Sequence, residues 1–118
     1  MTEPDWARPV VHWEIRAQDP ERQQKFYAEL FNWEIAGEGR IKNIKPGIGA
    51  PEQIAGHIAP SSSPGVGLYI QVRDLRASMN RAVELGGAIT MEPRDLPTGP
   101  TIAGITDPEG NRITLVQQ

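Results

Sequence analysis

Hydrophobic and polar residues follow the same order twice along this chain. From residue 10, the stretch VVHWEIRAQ alternates apolar and polar positions, which is typical of a half-buried strand, and an amphipathic stretch, PERQQKFYAEL, follows an aspartate. From residue 65, GVGLYIQVR leads through a second aspartate into LRASMNRAVEL. When Asp19 is aligned with Asp74, Ile15 meets Ile70. We interpret this as an internal repeat, which decides the fold more than any local preference does.

Each repeat predicts a strand followed by a capped helix. Asp19 is a natural N-cap, and Pro20 stands at the first helical position, where its missing N–H costs nothing. Asp74 caps the second helix, and the glycines at 86–87 end it. The first helix is expected to pack an apolar stripe onto the sheet, so that Leu30→Ala costs about 2 to 5 kcal/mol. The stripe consists of Phe26, Tyr27, Leu30 and Phe31.

Short strands complete each half, giving two βαβββ modules of the α+β class. The predicted strands lie near residues 33–36, 40–44 and 53–59, and then near residues 88–91, 101–106 and 112–116. We predict a single domain over residues 1–118. Module one covers about 9–59, the PSSSPG stretch at 60–65 is a hinge, and module two covers about 66–117.

Strand alternation assigns the side chains of each first strand to two faces. In the first half, His12, Glu14 and Arg16 share a polar face, whereas Trp13 and the apolar residues that alternate with them face the core, as does Trp33. In the second half, the face away from the helix carries Gly67, Tyr69, Gln71 and Arg73, and the helix side carries Leu68, Ile70 and Val72. The second helix presents Leu75, Met79, Ala82 and Val83 to the core.

Composition excludes several classes of function. The 118 residues carry a net charge of -3 and no basic run interleaved with aromatics, so we expect no nucleic-acid partner. Because there is no cysteine, disulfides, thiolate metal sites and cysteine nucleophiles are ruled out. The chain has no apolar stretch of membrane-spanning length and no leader-like start, so we expect a cytoplasmic protein without a membrane partner. The first residues read as an arm whose Trp6 packs on the body or a partner, or as a frayed terminus.

The residues also match a family pattern. VVHWEI, Asp19-Pro20-Glu21-Arg22, the Phe-Tyr pair of the first helix and the closing DPEGNRITLVQQ resemble the vicinal oxygen chelate superfamily. This is the glyoxalase, bleomycin-resistance and extradiol-dioxygenase group, and more narrowly the chain is similar to its small glyoxalase-related predicted enzymes. The resemblance covers residues 10–117 and is loosest at 37–51. It implies cupped mixed sheets around a cavity, helices on the outer face, and a homodimer, sometimes with exchanged modules.

The resemblance also implies positions for metal ligands, on the first and last strands of each module. His12 falls at the first position, and Gly67, at its equivalent in the second half, has no side chain. Thr114 stands where the family usually has Glu, and a neutral hydroxyl is a poor ligand. The fourth position is Gly56 or His57, depending on register. At most two good ligands remain, whereas a catalytic divalent site uses about three protein ligands.

We therefore expect no cofactor, with a divalent metal as the alternative. In that alternative Glu14, which shares the face of His12, acts as a replacement ligand or a general base, and the metal set is His12, His57 and Glu14. The simpler interpretation of His12 is a cavity-wall imidazole bonded to a neighbouring strand. Glu14 and Arg16 would then pair across a wet strand face, and His57 would be a surface strand residue.

The predicted function is a cavity protein that binds a small molecule without a complete metal site. Its predicted ligand-binding residues are His12, Glu14, Arg16, Tyr69, Gln71 and Thr114. Gly67 is expected to leave room for the ligand. The first alternative is a metal-dependent lyase, isomerase or dioxygenase that uses His12 and Glu14. The second is a dimeric interaction module without chemistry, in which Tyr69 is an ordinary strand aromatic.

Overall fold

The structure, a computed structural model, describes residues 7–37, 39–45 and 54–118. The predicted arm with Trp6, and part of the predicted strand at 53–59, lie outside the described residues. The described residues form two compact units: those of Val11–Leu68 form one, and Tyr69–Gln118 together with residues 7–10 forms the other. We call them the first and the second unit. No helix among the described residues is long and apolar enough to cross a membrane.

The first unit consists of a strand, a helix and three further strands. These are β1 (Val10–Ala17), α1 (Pro20–Phe31), β2 (Ile35–Ala36), β3 (Lys42–Ile44) and β4 (Gly56–Pro60). The strands lie in the order β2-β3-β4-β1. β1 runs parallel to β4, and the other two pairs are antiparallel.

The second unit repeats this order. It contains β5 (Gly65–Gln71, which starts in the first unit), α2 (Leu75–Glu84), β6 (Ala88–Asp95), β7 (Thr101–Thr106) and β8 (Arg112–Gln117). Its strands lie in the order β5-β8-β7-β6, with β6–β7 and β7–β8 antiparallel. The α+β class and the two βαβββ modules are thus confirmed.

Both helices begin where the sequence predicts. The Asp19 carboxylate accepts a hydrogen bond from the Arg22 backbone N–H at 3.2 Å, and the Asp74 carboxylate accepts one from the Ala77 N–H at 3.0 Å. These bonds satisfy N–H groups that lack a partner in the first helical turn. After α2, Gly86 takes a φ of 100°, a left-handed conformation that glycine adopts without strain.

Each unit has its own apolar core. In the first unit Ile15, Ala17, Ile44 and Ile58 are buried, and the partly buried Trp13, Tyr27, Trp33 and Ile35 pack against them. The Tyr27 and Trp33 rings stack, with their centroids 5.3 Å apart and their planes 8° from parallel. In the second unit the core is built from Val72, Leu75, Met79, Ala103, Ile105 and Leu115. The core positions predicted for both tryptophans and for Leu75 and Met79 therefore agree with the structure.

The predicted stripe of α1 is wrong. Phe26, Leu30 and Phe31 are 53%, 60% and 53% exposed, and only Tyr27 of the four is half-buried. A polar position of the helix, Gln24, is instead half-buried, and its side-chain amide donates to the Ile35 carbonyl at 3.1 Å. Two further predicted core residues, Leu68 and Val83, are also exposed.

The two kinds of apolar position can be told apart by truncation. Ile58 is 0% exposed and belongs to the core of the first unit, so Ile58→Ala removes methyl groups that have no solvent contact. We expect it to lower the free energy of unfolding by about 2–5 kcal/mol in urea denaturation. Leu30→Ala is the matched control and should cost less than about 1 kcal/mol, since the side chain is already in water. Equal losses for the two variants would contradict the assigned core.

Candidate functional site

A polar cluster forms where β1 lies beside β4. Alternation along β1 turns Ile15 to the core and places its polar neighbours on the opposite face. The parallel register sets Glu14 opposite His57 and Trp13 opposite Gly56. Of the two residues left open for the fourth ligand position, it is therefore His57 that faces the cluster. We call His12, Glu14, Arg16 and His57 the β1–β4 cluster.

The side chains of the β1–β4 cluster form a continuous chain of contacts. His12 Nε2 and His57 Nδ1 are 2.7 Å apart, and the two rings stack with centroids 4.9 Å apart. On its other side, His57 Nε2 lies 3.3 Å from Glu14 Oε2. Arg16 Nη1 donates to Glu14 Oε1 at 3.3 Å. The His57 side chain is only 12% exposed, so its interpretation as a surface residue is wrong.

Two glycines of β5 make room for Arg16. A Cβ built on Gly67 would lie 3.0 Å from Arg16 Nη1 and 3.0 Å from Glu14 Oε1, and one on Gly65 would lie 2.6 Å from Arg16 Nη2. The guanidinium Nε also donates to the Ser63 carbonyl at 3.2 Å. The space over Gly67 is thus filled by side chains of this chain, and the expectation that it is left open for a ligand is wrong.

Burial and hydrogen bonding set the charges of the cluster. The hydrogen bond from His57 holds the pKa of Glu14 below its usual range, with Arg16 adding to the effect and burial opposing it. Burial lowers the pKa of His12, the nearby His57 lowers it further, and Glu14 opposes both. Near neutral pH the site therefore holds a carboxylate, a guanidinium and a neutral His12 imidazole.

The charge of Glu14 assigns one proton in the chain of contacts. The Glu14 carboxylate only accepts, so His57 Nε2 carries a hydrogen and donates to it. In the contact between His12 Nε2 and His57 Nδ1, one ring nitrogen carries the hydrogen and the other accepts it. A carboxylate–imidazole–imidazole chain of this kind can move a proton or orient a polar ligand.

The metal set considered from the sequence is brought together, but its donor atoms face one another. His57 uses both ring nitrogens within the cluster, and Glu14 uses both carboxylate oxygens. A metal ion instead needs lone pairs that converge on one point. Among the described residues, no group of three or more histidines and carboxylates is arranged to hold a metal ion.

The other predicted ligand-binding residues belong to the second unit. Tyr69 and Gln71 are half-buried on β5, and Thr114 is half-buried on β8, opposite Gly104 of β7. Their role in ligand binding stays a prediction. The contact between Gly65 and Arg16 was not predicted from the sequence. The two glycines of GVG lie on the same strand face, and this pattern indicates that another group approaches the strand backbone closely.

The lowered pKa values predict how stability depends on pH. A group whose pKa is lower in the folded protein binds fewer protons there than in the unfolded chain, so stability falls as the pH falls. For His12 the loss begins near its ordinary pKa of 6.5, and for Glu14 near 4.5. We expect the free energy of unfolding to decrease between about pH 7 and about pH 5, and less steeply in His12→Gln.

Chemical denaturation at several pH values measures this effect. Gln retains an N–H near the position of His12 Nε2 but does not titrate, so the variant changes protonation more than hydrogen bonding. Glu14→Gln is the complementary control and should flatten the profile only below about pH 5. An unchanged slope in His12→Gln would show that the imidazole takes up its proton equally in both states.

Adding one methyl group tests the packing of Arg16. Gly67→Ala should displace Glu14 and Arg16 and lower stability by about 1–3 kcal/mol, the usual cost of overpacking. Gly39→Ala is the matched control because a Cβ there meets nothing within 4 Å. Equal thermal unfolding midpoints for the two variants would show that the space over Gly67 is open.

The sequence is similar to that of known glyoxalase-like proteins. The sequence model of the family described as "Glyoxalase-like domain" matches residues 12–116. Two proteins named "Putative glyoxylase CFP32", from Mycobacterium bovis and Mycobacterium tuberculosis, are 25% identical to the chain over 97% of its length. The chain spans only 45% of the length of these relatives.

Solved structures share the fold. A glyoxalase/bleomycin resistance protein/dioxygenase superfamily member from Vibrio splendidus matches with a TM-score of 0.66 and 15% identity, over 95% of this chain and 100% of its own. Methylmalonyl-CoA epimerase from Mycobacterium tuberculosis matches with a TM-score of 0.58 and 21% identity. The match covers 92% of this chain and 86% of the epimerase chain. Since the family match covers most of both βαβββ modules, the chain belongs to the glyoxalase-like domain family, within the vicinal oxygen chelate superfamily.

Proposed function

We propose that this protein binds a small organic molecule at the β1–β4 cluster, without a complete set of metal ligands. The observation that supports it most directly is that Glu14 and His57 use their metal-binding atoms on each other and on Arg16 and His12. A bound divalent ion would have to break these hydrogen bonds, and leaving a half-buried polar group without its partner costs about 1–3 kcal/mol.

The charge of Arg16 supports the same proposal. Its guanidinium lies 3.3 Å from Glu14 Oε1, and its side chain is 13% exposed. A divalent ion on Glu14 would therefore sit beside a poorly hydrated positive charge, which repels it. A polar organic ligand meets no such repulsion. It can use the guanidinium as a donor and the neutral His12 imidazole as either donor or acceptor.

Three residues of the second unit are proposed separately as ligand-binding residues. Tyr69, Gln71 and Thr114 carry an aromatic ring, an amide and a hydroxyl, which are usual in small-molecule sites. A homodimer and a cytoplasmic location are likewise proposed, on the resemblance and the composition. Fold similarity to other superfamily members does not assign their chemistry to this chain.

A metal-dependent lyase, isomerase or dioxygenase is the second candidate. The adjacency of His12, Glu14 and His57 favours it, since small side-chain rotations would redirect three suitable donors. In that case His12 and Glu14 hold the metal, or Glu14 acts as the base. The third candidate is a dimeric interaction module.

Thermal unfolding of the full chain separates the three candidates. One series contains EDTA and a panel of organic ligands that includes bleomycin and methylmalonyl-CoA. Methylmalonyl-CoA is chosen because one solved fold neighbour is a complex of methylmalonyl-CoA epimerase with it. A second series contains Zn²⁺, Ni²⁺, Co²⁺ or Mn²⁺ alone. The proposal expects a rise in melting temperature with an organic ligand in EDTA. A ligand at 100 times its Kd stabilises the native state by about 2.7 kcal/mol.

Variants locate the response. Arg16→Met should abolish the ligand-induced rise, whereas Arg76→Met should keep it, since Arg76 is an exposed arginine paired with Glu92 on the surface. A rise that requires a metal ion supports the enzyme and contradicts the proposal. A dimer in analytical ultracentrifugation that responds to neither series supports the interaction module.

A further inference from the structure

Lys42 is a buried cation outside the β1–β4 cluster. Its side chain is almost completely buried, with 4% exposure. Among the residues that the structure describes, no other charged residue is buried. Alternation along β3 places it on the same face as Ile44, and the register sets it opposite Ile58, so it extends a row of core positions. Lysine is almost never fully buried without a partner, because removing an ammonium from water is costly.

The protein satisfies this ammonium only in part. Lys42 Nζ donates to the Gly37 carbonyl at 3.0 Å, which uses one of its three N–H donors. Within the described ranges, Lys42 forms no ion pair with a carboxylate, and neither does Arg40. Lys42 and Arg40 therefore have no carboxylate partner among the residues that the structure describes.

Both cations line one cavity of the first unit. Its volume is about 450 Å³, and it lies at the start of α1, beside Asp19, Glu21, Gly39 and Pro60. The N-terminus of a helix carries a partial positive charge, which adds to that of the two side chains. Lys42 is buried, whereas Arg40, Asp19 and Glu21 are exposed. The inner part of the cavity is therefore cationic, and its rim, with two carboxylates and one guanidinium, has a net negative charge.

We propose that this cavity binds a small carboxylate anion through Lys42, with Arg40 as a second contact. A monoanion matches the single buried ammonium, and it forms a hydrogen bond in which both donor and acceptor are charged, whereas the Gly37 carbonyl is a neutral acceptor. The acidic rim repels a dianion such as hydrogen phosphate more strongly than it repels a carboxylate. The site shares no residue with the β1–β4 cluster, so it stands or falls independently of the function proposed above.

Amide NMR spectra of the full chain, titrated with sodium acetate, test this site. Sodium chloride at the same ionic strength is the salt control. We expect saturable shifts at the amides of Gly37, Gly39 and Glu21 with acetate but not with chloride, and weaker binding of phosphate. Lys42→Met should weaken acetate binding about tenfold or more, since it removes a charge-assisted hydrogen bond.

The chain offers a matched control for this variant. Lys45 follows the same strand, but its side chain is 57% exposed and pairs with Glu34. Lys45→Met should keep the acetate affinity within about twofold. Saturable shifts that persist in Lys42→Met, or that chloride reproduces, would overturn the proposal. If Lys42→Met does not fold, Arg40→Gln decides, because an unchanged affinity in that variant would also overturn it.

Discussion

The parallel pairing of β1 with β4 is the constraint on which the first unit depends. Its register sets Ile15 opposite Ile58 and Glu14 opposite His57. Because side chains alternate along a strand, one register fixes both faces at once, and a slip by one residue would exchange them. The apolar pair builds the core of this unit, and the polar pair builds the candidate site. Core stability and site geometry therefore share one cause.

Arg16 sets the electrostatic character of the β1–β4 cluster. Gly67 has no side chain, and Glu14 and Arg16 occupy the space beside it. The guanidinium brings a permanent positive charge to a place where a divalent ion would also carry positive charge. In the proposed function it favours a polar organic ligand over a divalent ion. The hydrogen bond from His57, with Arg16 adding to it, keeps the pKa of Glu14 low and the carboxyl ionised.

Much of the fold and part of the site could be predicted from residue pattern. The repeat, the caps at Asp19 and Asp74, and the two faces of β1 depend on local chemistry, which sequence displays directly. The orientation of α1 could not be read in this way. Gln24 bonds to the Ile35 carbonyl and Tyr27 stacks on Trp33, whereas Phe26 and Leu30 are exposed. Helix periodicity does not display these contacts with the segment that follows the helix.

The sequence by itself determined the βαβββ repeat, the family and the presence of only two histidines. Only the tertiary structure decided that the two imidazoles meet and that Arg16 lies over Gly65 and Gly67. It also revealed Lys42 as a buried cation beside a cavity. The physical reason is that propensity and capping act within one element. Strand register and side-chain burial depend instead on residues that are far apart along the chain.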